Sequence, residues 1–267
     1  MELTTELPFA VAFTVAVIAV LLIGIAKAGF GGGVGLLTTP LMSLIMPAKI
    51  TVGFLLPLLI IADGFTLFHH RGHWDKPNLK MLVPSALIGI ILGVLLIDIV
   101  SDQELKRIIG GVVIAFTAVQ MIRNHLQREA LYRPVWWQGG TAGISAGFVS
   151  AIAHSAGAIV AIYLLPQRLD KRVFVSTMVL FFAIVNLLKV PPYLAIGLID
   201  WQTLKSGLIL VPFIPIGTLA GAWLNRRLDQ NVFTRIIYIL VLITGLQLLF
   251  GFNVLEWIFT HNSVSGG

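Results

Sequence analysis

Val83-Pro84-Ser85-Ala86-Leu87-Ile88-Gly89-Ile90-Ile91-Leu92-Gly93 returns 128 residues later as Val211-Pro212-Phe213-Ile214-Pro215-Ile216-Gly217-Thr218-Leu219-Ala220-Gly221. The Val-Pro pair and both glycines keep their spacing. The next segment repeats as well: Asp102-Gln103 and Arg107-Ile108-Ile109 reappear as Asp229-Gln230 and Arg235-Ile236-Ile237, displaced by 127 or 128 residues. A period of about half the chain, in a sequence this apolar, points to a duplicated membrane unit rather than a short-period solenoid. The expectation is two homologous halves, residues 1–128 and 129–267, within one membrane domain.

Composition identifies the solvent. Of 267 residues, 57% are hydrophobic and 11% charged, and the mean hydropathy is +0.95, whereas a soluble domain carries roughly 25% charged residues. Every acidic residue except Asp63 falls at a segment end or in a connection. The absence of cysteine excludes disulfides, Cys-ligated zinc and thiol chemistry. The net charge of +6 is spread over short connections, a pattern suited to anionic lipid and not to nucleic acid.

Apolar stretches at 8–27, 50–69, 79–98, 105–123, 138–153, 172–189, 203–224 and 233–251 each approach the roughly 20 residues of a bilayer-crossing helix. Val34–Met46 and Ser155–Pro166 are apolar but too short to cross alone. The fold expected is an all-α integral membrane protein of two inverted repeats, with about 8 full transmembrane helices and two short half-helices. The first stretch lacks a basic start and a cleavage site, so it reads as a retained helix. Counting each short segment as a change of side puts 13 of the 18 Lys and Arg on one face, Arg71, Arg128 and Arg227 among them. The positive-inside rule makes that face cytoplasmic and both termini external. Five segments per half, an odd number, invert the second half relative to the first.

The interruptions are where chemistry is expected. Lys27 precedes the cluster Gly29-Phe30-Gly31-Gly32-Gly33, and Ala153-His154-Ser155-Ala156-Gly157 stands at the matching place about 124 residues on. Each opens a new helical piece whose free N–H groups and positive dipole end favour an anion, and unwound backbone persists at membrane depth only where it is buried or lines a cavity. Gly31, Gly32, Gly33, Ser155 and Gly157 are therefore substrate-lining candidates. Gly89, Gly93, Gly217 and Gly221 read instead as helix-packing residues.

Single polar residues complete the set. His154 is the one histidine inside an apolar stretch, and beside a helix break it is a candidate for substrate or proton contact. Asp63 lies mid-span, and its counterpart 123 residues later is Asn186. A carboxylate there must be protonated, paired or hydrated, so Asp63 is a proton-coupling candidate, with a structural hydrogen bond to Asn186 across the repeat axis as the alternative. Lys27 and Lys189 are expected to snorkel to an interface, with attraction of the substrate as the other reading.

With these residues in view, the chain resembles the TauE/SafE sulfite exporter family. The resemblance rests on Lys27-Ala28-Gly29-Phe30-Gly31-Gly32-Gly33 with Pro40, on Gly72-His73-Trp74-Asp75, on Ala153-His154-Ser155-Ala156-Gly157 with Tyr163-Leu164-Leu165-Pro166, and on Asn186-Leu187-Leu188-Lys189-Val190-Pro191. Relatives commonly carry Gly-Gly-Pro-Pro where this chain has Ala156-Gly157-Ala158-Ile159. The resemblance implies export of sulfite, sulfoacetate or related organosulfonates across the inner (cytoplasmic) membrane, coupled to the proton gradient, by a non-enzymatic carrier without cofactor or metal that could form a homo-oligomer. A hydrolase is disfavoured, since neighbouring His154 and Ser155 point apart on a helix. A metal carrier would need more membrane carboxylates or histidines than Asp63 and His154. The competing reading is a non-transporting scaffold or assembly factor.

Overall fold

A computed structural model describes residues 8–27, 35–69, 72–125, 136–227 and 230–251. Among these residues the chain forms α-helices and no strand: α1 (Phe9–Lys27), α2 (Gly35–Ser43), α3 (Ala48–His69), α4 (Lys76–Ile99), α5 (Asp102–His125), α6 (Trp136–Ala153), α7 (Gly157–Leu164), α8 (Lys171–Ala195), α9 (Trp201–Leu208), α10 (Phe213–Arg227) and α11 (Gln230–Phe250). A 3-10 turn, Leu165–Gln167, follows α7.

The acidic residues at segment ends start these helices. Asp75 accepts from Asn78 N at 2.9 Å, Asp170 from Arg172 N at 2.8 Å and Asp200 from Thr203 N at 2.6 Å, each satisfying an orphan first-turn N–H. Ser101 and Glu104 make the reciprocal capping box of α5: the Glu104 carboxylate accepts from Ser101 N at 2.7 Å, and Glu104 N donates to Ser101 Oγ at 3.3 Å. These carboxylates define helix ends, which is why they avoid the apolar stretches.

Ala48–Phe68, Lys76–Ile99 and Arg172–Ala195 are long and apolar enough to cross a bilayer, and Trp201–Leu208 with Phe213–Gly221 passes the same test as a pair bent by 54°. α4 shows the expected sidedness. Ala86, Gly89, Ile90 and Gly93 are buried, while Leu87, Ile88, Ile91, Leu92 and Leu95 are exposed, an apolar outer face that only lipid can solvate. Trp136 and Trp201 are exposed at helix starts, as interfacial aromatics are. The chain is an integral membrane protein.

Packing pairs α4 with α6, α1 with α10, α3 with α8 and α5 with α11. Three of these seams close on glycine; between α5 and α11 a Cβ on Gly110 would stand 2.6 Å from Gly245 O. A Cβ on Gly93 would stand 2.7 Å from Ala151 Cβ, one on Gly89 would strike Ile144 O, and one on Gly147 would strike the Ala86 backbone. Between α1 and α10, Gly217 lies against Leu21 O and Gly24 against Ile214 O. Backbone approach this close maximises dispersion between helices where lipid removes the hydrophobic drive, so the packing reading of Gly89, Gly93 and Gly217 holds.

Two boundaries differ from expectation. The stretch 203–224 is not one helix but α9 and α10, separated by turns over 209–212. Pro212 lacks an N–H and Pro215 follows one turn later, so the ladder is interrupted twice in quick succession. The matching Pro84 is accommodated inside an unbroken α4. Conversely, α8 does not end at 189 but runs through Pro191 and Pro192 to Ala195. Both prolines sit near its C-terminus, where few later residues depend on the ladder.

Candidate functional site: a buried charged cluster at two helix ends

α1 ends at Lys27, and α6 ends at Ala153 beside His154. α3 and α8 pack against each other and carry Asp63 and Asn186 into the region where those ends meet. The Lys27 ammonium forms an ion pair with Asp63 Oδ1. Asn186 Nδ2 donates to Asp63 Oδ2 at 2.6 Å, linking residues 123 apart in sequence. Asp63 and Asn186 are both buried. The hydrogen bond to Asn186 given as the alternative reading of Asp63 is present, and the carboxylate is also charge-paired. Lys27 does not snorkel: its side chain is 16% exposed, because a carboxylate within reach outweighs the distance to water.

Lys189, one turn beyond Asn186 on α8, is 0% exposed. Its ammonium donates to Ser150 O at 3.1 Å and Ser150 Oγ at 3.1 Å, and meets His154 Nδ1 at 2.8 Å. His154 Nε2 lies 2.9 Å from Val52 O. A carbonyl only accepts, so Nε2 carries the proton and Nδ1 offers its lone pair to Lys189. Three acceptors then match the three N–H donors of an ammonium. Snorkelling is overturned here too, since the acceptors within reach are the Ser150 carbonyl and hydroxyl of α6 and the His154 ring, and not interfacial water.

Those carbonyls explain the arrangement. The last C=O groups of a helix have no intrahelical donor and carry its negative dipole end. Ser150 O takes Lys189 and the His154 N–H at 3.2 Å, Ala151 O takes the Tyr193 hydroxyl, and Ala153 O takes Ser155 Oγ at 2.8 Å. His154 itself has φ 51, the left-handed region that breaks the helix, and both ring nitrogens are tied down. With its hydroxyl on Ala153 O, Ser155 is not hydrogen-bonded to His154 as a nucleophile would be.

Of the residues singled out in the sequence, the structure joins Lys27, Asp63 and Asn186 in one group, sets His154 and Ser155 at the break, and opens α7 with buried Gly157. Gly31, Gly32 and Gly33 lie outside the described residues. Ser150 and Tyr193 were not anticipated. A serine and a tyrosine within apolar runs carry no sequence signal until a partner helix is known to deliver a charge.

Ammonium and carboxylate groups buried inside a helical membrane protein are the kind of group that marks ion and substrate pathways in transporters. The chain belongs to the family described as Sulfite exporter TauE/SafE, whose signature matches residues 16–248. That is a family of membrane transporters. Neither a comparison with curated proteins nor one with solved structures gives a match.

Proposed function

We propose that the protein is a secondary transporter that exports a small sulfur-containing anion, sulfite or an organosulfonate such as sulfoacetate, across the cytoplasmic membrane. The observation that carries this reading is charge accounting: among the described residues of the cluster, Lys27 is paired with the Asp63 carboxylate, and Lys189 lies within electrostatic reach of both with only neutral groups as hydrogen-bond partners. A surplus positive charge away from water is costly until an anion arrives. At about 4 Å and an effective dielectric near 20, the attraction is roughly 4 kcal/mol. The sulfur oxyanion is suggested by the family name.

In this reading the substrate sits between the glycine cluster Gly29-Phe30-Gly31-Gly32-Gly33 and the break at 154–156. The N–H groups around Gly31, Gly32, Gly33, Ser155 and Gly157 supply donors, with Lys27, Asn186 and, once its Nε2–H turns from Val52 O, His154. Asp63 and His154 serve proton coupling. A proton on Asp63 would release Lys27 to the anion, and its loss would restore the pair. The reciprocal packing of α1 on α10 and of α4 on α6 supports two inverted repeats, 1–128 and 129–267; about eight full transmembrane helices, two short half-helices and both termini outside complete the reading. Purified protein in liposomes should move sulfite or a sulfonate faster when a pH gradient is imposed. A membrane scaffold or assembly factor would leave the flux at the level of empty liposomes.

A further inference from the structure

We propose that Lys189 is a tethered cation: its ammonium occupies the carbonyl end of α6 where, in other carriers with broken helices, a free monovalent cation is bound, so this carrier needs no sodium. Half-helix C-terminal ends and unwound carbonyls are the usual coordination sites for coupling cations in inverted-repeat transporters. Here that place is filled by the chain itself. A carbonyl oxygen, a hydroxyl oxygen and an imidazole nitrogen converge on one nitrogen at 3.1, 3.1 and 2.8 Å, a set of neutral ligands that suits a singly charged ion. The side chain is fully buried. The end of α1 is treated differently, because Lys27 is neutralised by Asp63 while Lys189 has only neutral ligands within hydrogen-bond distance. Tethering has a second consequence. With Val52 O on one ring nitrogen and Lys189 on the other, the His154 ring is clamped and its left-handed backbone is held. Lys189 thus acts as a positioning residue for the second break.

The test has an arm that stands without the transport reading and an arm that rests on it. In the first, thermal unfolding of the detergent-purified full chain is followed in chloride salts of ammonium, methylammonium, sodium or choline at equal ionic strength. The parent should be indifferent to the cation. Lys189→Ala, which empties the cage, should unfold on the order of 5 °C lower in choline and regain part of that loss in ammonium, methylammonium or sodium. Lys189→Met, which fills the cage without a charge, should be destabilised with no recovery in any salt. Should Lys189→Ala not purify in choline, the yield of monodisperse protein is compared across the same salts and should return with ammonium. Equal behaviour of Lys189→Ala in all four salts, or a Lys189→Met variant as stable as the parent, overturns the proposal. In the second arm, parent liposomes should move sulfite equally well when sodium is replaced by choline, and a strict sodium requirement also overturns it. If the parent moves no sulfite or sulfonate under any cation, the transport reading fails, while the unfolding arm still decides the tethered cation.

Discussion

Removing the carboxylate of the cluster exposes how its charges depend on one another. Asp63→Asn leaves the Lys27 ammonium without its ion pair at a site where its side chain is only 16% exposed, and sets one carboxamide against the Asn186 amide. Breaking a buried pair from one side costs about 3–5 kcal/mol, mostly the penalty of the uncompensated charge. For a chain of this size each kcal/mol lowers Tm by about 2–4 °C, so the expected drop is roughly 6–20 °C. Lys27→Met should cost a similar amount, since it leaves Asp63 buried and charged. The double variant removes both charges and should lose about 2–3 kcal/mol less than the sum of the singles. Thermal unfolding of the four proteins in one detergent gives the cycle. Singles that add within about 0.5 kcal/mol would refute direct pairing. In liposomes, Asp63→Asn should keep substrate binding but lose accumulation driven by a pH gradient, because an amide cannot change charge.

Three further outcomes follow from the same contacts. His154→Ala removes the ring that joins Val52 O to Lys189 and, in the proposed reading, the donor that turns from Val52 O to the anion, so sulfite affinity measured by titration should fall about 10-fold to 150-fold, the roughly 1.5–3 kcal/mol of a hydrogen bond to charge. Gly147→Val places a branched side chain against the Ala86 backbone, so α4 and α6 must separate; size-exclusion chromatography should show little monodisperse protein, while Gly140→Val, where a Cβ meets open space, should elute like the parent. The Thr203 hydroxyl and N–H that donate to Asp200 hold its carboxyl below the usual carboxylate range. Its capping contribution is therefore present above about pH 4 and is lost as pH falls through the lower folded-state value. Asp200→Asn should remove that acid-sensitive step from the unfolding profile.

Much of the fold was legible because lipid enforces simple rules. Apolar runs of about 20 residues became helices, and Asp75, Asp170 and Asp200 sat where helices begin because an N-cap needs an acceptor. The second break was visible in His154-Ser155-Ala156-Gly157, and the match of Asp63 to Asn186 by displacement anticipated their hydrogen bond. What could not be read depends on which helix meets which. Pro84 and Pro212 occupy equivalent sequence positions, yet only the second stands in a break, since Pro215 follows it. Lys27 and Lys189 looked like snorkelling residues because sequence gives distance to a helix end and not to a partner. Asp63 is 36 residues from the first, and Ser150 is 39 from the second.

The central claim is that an anion binds at the surplus positive charge beside the α6 break. Selenite carries the charge and shape of sulfite with an anomalously scattering centre, so crystals of the purified protein soaked with it locate the site directly. One dominant anomalous peak is predicted beside the cluster of Lys27, His154 and Lys189, held there by the net charge of the cluster, and it should be lost in Lys189→Met. A peak elsewhere in the molecule, or one that persists unchanged in Lys189→Met, would contradict it.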